Sequence, residues 1–229
     1  MKTARKKTTP PAPKRILIVD DHPMMREGLS QLIAGDSALV LCGEAKNTAE
    51  GLDAISRLSP DLVLADISLP DRNGLELIKD ALALQPELKI LAISMHDEAF
   101  YAERVLRAGA RGYIMKHEGG HRIAAAIKQV LEGRVYVSDN ISTKILNQFS
   151  GRRAAPGKSS VGGLSDREFE VFQLIGGGKS TREIAGQLHL SVKTVEVHRL
   201  NIKNKLVLKT SAELIREAVR WVESQGAAE

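Results

Sequence analysis

Short apolar runs alternate with longer segments of helical periodicity over the first 133 residues. Five runs are almost continuously apolar, as strands buried on both faces of a parallel sheet require: 15–19, 39–42, 62–65, 90–93 and 112–115. Helical spacing of apolar residues occurs around 24–34, 48–58, 74–84, 98–108 and 119–132. This alternation predicts five βα units forming an α/β doubly wound, five-stranded parallel sheet.

The remainder of the chain loses this alternation. After Leu164 only helical patterns occur, and two short helices separated by a tight turn, 181–188 and 192–206, predict a helix-turn-helix. Ser165 and Glu168 have the spacing of a capping box at the start of this region. The predicted organisation is a disordered basic tail (1–14), an α/β domain (15–133), a linker (134–163) and a small all-α helix-turn-helix domain (164–225).

Charge is distributed unevenly along the chain. The formal net charge is +5, but residues 16–133 are net acidic, whereas 1–15, 134–163 and 164–228 are net basic. This asymmetry favours a polyanion partner for the basic part. The single cysteine, Cys42, fits a reducing compartment, and the chain has neither a secretory signal pattern nor a membrane-length apolar run. We therefore expect a cytoplasmic protein.

Polar residues directly follow four of the five predicted strands. In an open parallel sheet these positions converge on one edge, where ligands bind. Three carboxylates brought together there repel one another, and a hard divalent cation such as Mg²⁺ relieves the repulsion. The residues at these strand ends are Asp20, Asp21, Asp66, Ser94 and Lys116.

These residues resemble the receiver domain of two-component response regulators, and the resemblance covers 15–133. Asp66 occupies the phosphoacceptor position, and the family's Pro and Gly recur at Pro70 and Gly74. The resemblance implies an acidic pair at Asp20 and Asp21, a switch hydroxyl at Ser94, an invariant lysine at Lys116 and a switch aromatic at Tyr113. It implies Mg²⁺ bound by Asp21, Asp66 and the Ser68 carbonyl, with Asp20 acting through water.

A phosphatase of the haloacid-dehalogenase type also uses an aspartate nucleophile, lysine, a hydroxyl and Mg²⁺. Its nucleophile belongs to an Asp-x-Asp motif on the first strand, whereas Asp66 follows the third strand and Ser68 replaces the second aspartate. The chain is therefore not predicted to be an enzyme. Three histidines near strand ends lack the spacing of a zinc site and are interpreted as neighbouring polar residues: His22, His96 and His117.

The second domain resembles the LuxR-type helix-turn-helix of NarL/FixJ regulators over 164–222. The matching segments are 164–168, 183–185 and, most specifically, 191–199. The implied DNA contacts are Lys193, Thr194, Val197, His198, Arg199 and Lys203. Some relatives carry lysine where this chain has Glu196 and Leu200, so their preferred DNA sequence does not transfer. Glu196 either accepts a hydrogen bond from cytosine or faces solvent.

Together the resemblances imply a response regulator of a two-component system. A sensor histidine kinase would phosphorylate Asp66, and the protein would then bind double-stranded promoter DNA sequence-specifically, as a homodimer through its last helix. A regulator that uses its receiver without phosphorylation is the alternative. The tail 1–14 either adds nonspecific DNA affinity or is a solvated extension.

Overall fold

The computed structural model describes residues 12–149 and 161–226. Five parallel strands form one sheet in the order β2-β1-β3-β4-β5, which confirms the predicted doubly wound fold. The strands are β1 Lys14–Val19, β2 Leu39–Ala45, β3 Leu62–Asp66, β4 Lys89–Ser94 and β5 Gly112–Met115. The helices between and after them are α1 Pro23–Ala34, α2 Thr48–Leu58, α3 Gly74–Leu84, α4 Glu98–Arg107 and α5 Gly120–Leu131.

Both faces of the sheet are buried, as the continuous apolar runs required. Leu17 and Val19 of β1 pack on the side of α2, α3 and α4, whereas Ile16 and Ile18 pack on the side of α1 and α5. All four side chains are completely buried. Because strand order reverses beside β1, the carboxyl ends of β1 and β3 lie at the crevice where such folds place their ligands.

The segment predicted as a linker is partly ordered. Tyr136 lies beside β5, where its carbonyl accepts from the Tyr113 amide at 2.9 Å. Gly112 permits this approach, because a Cβ there would lie 2.7 Å from the Tyr136 carbonyl oxygen. Helix α6, Asp139–Phe149, then packs against α4 and buries Ile141. Lys14, predicted in the tail, begins β1; residues 1–11 and 150–160 lie outside the described residues.

The C-terminal domain is entirely helical. After a 3-10 turn at Val161–Gly163 it contains α7 Asp166–Gly176, α8 Thr181–Gln187, α9 Val192–Leu206 and α10 Ser211–Gly226. The capping box of Ser165 and Glu168 is present, and a second one joins Ser180 and Glu183 at the start of α8. Large apolar side chains fill the space between the helices: Phe169, Phe172, Ile184, Val195, Ile202 and Leu214. Within the described part of the chain, no helix has the length and apolarity needed to cross a membrane.

Candidate functional site

The carboxyl edge of the sheet brings the predicted charged residues together. Lys116 follows β5, and its Nζ lies 2.8 Å from Asp66 Oδ2 at the end of β3 and 2.8 Å from Asp20 Oδ2 after β1. The side chains of Asp20 and Lys116 are only 2% and 6% exposed. One buried ammonium group therefore balances two buried carboxylates that come from different strands.

Burial changes how readily these groups ionise. Burial raises the pKa of Asp66, although Lys116 opposes the shift. Burial alone would lower the pKa of Lys116, but its hydrogen bonds to Asp20 and Asp66 outweigh burial and raise it. Lys116 is thus held in its cationic form beside the carboxylates.

Asp21 adds a third carboxylate to this edge. Its Oδ1 is buried and accepts no hydrogen bond, although His22 Nδ1 lies 2.7 Å away. Asp20, Asp21, His22 and Asp66 each place a potential ligand atom within 4.8 Å of the others. An oxygen-rich group that includes a buried oxygen without a hydrogen bond fits the predicted Mg²⁺, because this cation prefers carboxylate oxygens.

The loop after β3 folds tightly around Asp66. The Ser68 amide donates to Asp66 Oδ1 at 3.1 Å, and the Gly74 amide donates to the Ile67 carbonyl at 2.8 Å. A Cβ on Gly74 would lie 2.2 Å from the Asp66 carbonyl oxygen. Glycine at position 74 therefore lets α3 start directly against the residue that bears the carboxylate.

The two predicted switch residues converge on His96. Ser94 is fully buried, and its Oγ accepts from the His96 amide at 3.1 Å. The Tyr113 hydroxyl donates to the His96 carbonyl, and the Tyr113 ring is already buried. Tyr113 therefore lies inside the domain in this conformation. His96 was interpreted from the sequence as a neighbouring polar residue, and its Nε2 lies 2.8 Å from Ser68 Oγ.

Helix α9 presents one side to solvent. A stripe of three residues faces the domain core and is buried: Val195, Ile202 and Leu206. Of the predicted DNA-contact residues, Lys193 and Val197 are exposed, whereas four are partly buried: Thr194, His198, Arg199 and Lys203. Arg199 retains 13% exposure and lies 3.8 Å from Glu196. The six predicted contact residues therefore differ in how much of each side chain solvent can reach.

Glu196 forms a hydrogen bond with the preceding helix. Thr181 Oγ1 at the start of α8 donates to Glu196 Oε1 at 3.0 Å. The side chain of Glu196 is 57% exposed, so solvent reaches the carboxylate as well. This link could not be predicted from the sequence because Thr181 and Glu196 lie in different helices.

Comparisons with known proteins match each of the two domains to a family. Residues 16–128 match the family described as response regulator receiver domain, and residues 163–218 match the bacterial regulatory proteins of the luxR family. The oxygen regulatory protein NreC of Staphylococcus aureus is 35% identical over 210 residues, covering 90% of this chain and 97% of that protein. The chain belongs to the NarL/FixJ-type response regulators.

Solved structures resemble this response regulator over most of its length. A LuxR-family response regulator from Aurantimonas sp. SI85-9A1 is 30% identical with a TM-score of 0.56, covering 61% of this chain and 99% of that one. RcsB from Salmonella enterica, bound to promoter rprA with the phosphomimetic BeF3-, is 22% identical with a TM-score of 0.68. That match covers 89% of this chain and 97% of the RcsB chain, and it shows the shared fold.

The two domains of the response regulator are in direct contact through α4. The Tyr101 hydroxyl donates to Gln173 Oε1 of α7 at 2.7 Å, and its ring packs edge-on against Phe169 at 5.2 Å. The Arg104 guanidinium lies 4.4 Å from the Phe169 ring centroid and 3.2 Å from an Asp166 oxygen. We call this set of contacts between α4 and α7 the interdomain interface.

The interdomain interface reaches back to the acidic edge. The His96 ring stacks on Tyr101 with centroids 4.7 Å apart, so one histidine contacts the loop after β3 and a residue that binds α7. A cavity of about 240 Å³ lies between the domains and is lined by Asp21 and Ser68 on one side and by Gln173 and Leu188 on the other. The C-terminal domain therefore lies beside the acidic edge of the sheet.

Proposed function

We propose that this response regulator accepts a phosphoryl group on Asp66 from a sensor histidine kinase and then regulates transcription by binding promoter DNA sequence-specifically. The observation that carries the first half is the Lys116 ammonium, held 2.8 Å from both Asp66 and Asp20 at the buried edge of the sheet. Carboxylates and a cation at this spacing suit phosphoryl transfer, which depends on positioning and charge stabilisation.

In this proposal each residue at the edge has a chemical role. An Asp66 oxygen attacks phosphorus, forming an O–P bond as the bond from phosphorus to the kinase imidazole breaks, and the imidazole nitrogen keeps the electron pair. Lys116 then neutralises charge on the phosphoryl oxygens, and the Ser94 hydroxyl binds one of them. Bound Mg²⁺ would supply further neutralising charge. Its ligands would be Asp21, Asp66 and the Ser68 carbonyl, with Asp20 acting through water.

Control of the DNA-binding domain would act through the interdomain interface. On α9, the recognition helix of the helix-turn-helix, Lys193, Val197 and Leu200 are exposed while the domains are in contact. The receiver therefore does not cover this outward side of the recognition helix. Instead it holds α7 and, through Phe100, the ring of Trp221 on α10 at 5.2 Å. Rearrangement around His96 would loosen these contacts and free α10 to form a homodimer.

The second half of the proposal rests on the exposed side of α9 and on the family. RcsB, which shares this fold, has been solved on promoter DNA. A regulator of this kind acts where the DNA is, so we place it in the cytoplasm.

The decisive experiment for Asp66 is phosphorylation by acetyl phosphate with Mg²⁺, followed by intact-protein mass spectrometry. Wild type gains one phosphoryl mass, whereas Asp66→Asn gains none because an amide is a poor nucleophile. Asp53→Asn is the matched control, since Asp53 is an exposed carboxylate on α2 paired with Arg57, and it gains the mass as wild type does. If Asp66→Asn gained as much phosphoryl mass as wild type, the assignment of Asp66 as the phosphoacceptor would be wrong.

A further inference from the structure

The outward side of the recognition helix carries an apolar pair that domain folding does not require. Successive residues of an α-helix are about 100° apart, so Lys193, Val197 and Leu200, spaced i, i+4 and i+7, lie opposite the buried stripe. Val197 is 50% exposed and Leu200 is 52% exposed. Their spacing of three residues makes them neighbours on the helix surface.

The position of this pair decides what it could contact. In a helix-turn-helix the second helix lies in the major groove, and its outward residues face base edges while its flanks face phosphates. Apolar side chains cannot satisfy phosphate oxygens. The apolar group that the major groove offers is the 5-methyl of thymine.

The charged residues near Val197 and Leu200 lie to the sides of the apolar pair, so the pair occupies the centre of the outward side. Glu196 accepts from Thr181 Oγ1 at 3.0 Å, which directs its carboxylate toward α8. Arg199 and Lys203 are partly buried on the flank of the helix, where backbone phosphates would pass. Lys193 lies one turn before Val197 and can bind phosphate or a guanine edge.

We propose that Leu200, together with Val197, determines base specificity by contacting thymine methyl groups in the major groove. This inference rests on the proposed DNA-binding function and adds the identity of the bases that are read. Some relatives carry lysine at the position of Leu200, and lysine cannot make this apolar contact, so reading a thymine methyl with Leu200 would be particular to this recognition helix.

The test replaces thymine by deoxyuridine, which removes only the methyl group. A binding site is first selected from random duplex DNA with the phosphorylated protein, and each thymine is then exchanged singly while affinity is followed by fluorescence anisotropy. Wild type should bind about fourfold more weakly at the contacted thymine, the factor expected for one buried methyl group. Leu200→Ala should bind thymine and uracil equally at that position, with an unchanged salt dependence because no ion is released.

Val207→Ala is the matched control. Val207 is a 77% exposed apolar residue just beyond the end of α9, and its variant should keep the full fourfold discrimination. Wild-type affinity that is indifferent to every uracil exchange would overturn the inference, as would full discrimination by Leu200→Ala. Failure to select any sequence would overturn the proposed function itself, and this outcome appears before uracil is introduced.

Discussion

The phosphoacceptor site and the recognition helix arrange their functional groups in opposite ways. At the edge of the sheet, the side chains of Lys116 and Asp66 are buried and form an ion pair. On α9, by contrast, Lys193 and Leu200 are exposed to solvent. A site that performs chemistry needs its charges fixed before the substrate arrives, because fixed charges require little reorganisation. A surface that reads DNA needs its side chains free for the partner. Substitutions should therefore affect folding at the first region and affinity at the second.

The largest expected effect is at Lys116. Lys116→Ala leaves Asp20 and Asp66 buried without their cation, which should lower the free energy of unfolding by about 3–5 kcal/mol. Urea unfolding followed by circular dichroism, with EDTA present to remove divalent cations, measures this loss.

Arg57→Ala provides the control for Lys116→Ala. Arg57 Nε also lies 2.8 Å from a carboxylate, Asp53, but both side chains are more than half exposed. Exposed pairs contribute little, so this variant should unfold as wild type does. Equal losses in the two variants would mean that burial does not distinguish the phosphoacceptor site from an ordinary surface pair.

The acidic edge could be predicted from the sequence because it follows from the fold class. Once five apolar runs define a parallel sheet, the residues after each run must meet at one edge, as Asp20, Asp66 and Lys116 do. The buried stripe of α9 could likewise be predicted from its helical spacing.

The interdomain interface could not be predicted in this way. Tyr101 and Gln173 are 72 residues apart, and neither the periodicity of α4 nor that of α7 specifies which exposed face meets another domain. Helix α6 was missed for a related reason, since its apolar residues Ile141 and Ile145 lie close to a segment rich in turn formers. The role of His96 depends on contacts made by its backbone as well as its ring.

A smaller effect is expected at Arg104, which joins the two regions. Arg104→Ala removes the contact with Phe169 and a charge-assisted hydrogen bond to Asp166. Such a bond contributes about 1.5–3 kcal/mol, so the ratio of closed to open protein should fall roughly tenfold or more. Trp221 is the single tryptophan of the chain and packs on Phe100 across the domains, so opening should shift its fluorescence to longer wavelength.

Arg107→Ala, on the same helix, separates this effect from a general loss of charge. Arg107 is 73% exposed and pairs with Glu103, four residues earlier on the same helix. Its variant should keep the wild-type emission. If Arg104→Ala also keeps it, the contacts at Arg104 do not hold the domains together.

The smallest effect is expected at Lys203 on the flank of the recognition helix. If Lys203 binds one backbone phosphate, Lys203→Ala should weaken binding to all DNA sequences alike and reduce the slope of log affinity against log salt by about one. Anisotropy titrations at several salt concentrations measure both quantities. Lys128→Ala, which removes an exposed lysine of α5 that pairs with Asp36, should leave the slope unchanged. An unchanged slope for Lys203→Ala would remove Lys203 from the phosphate contacts and leave the outward side of α9 as the main source of affinity.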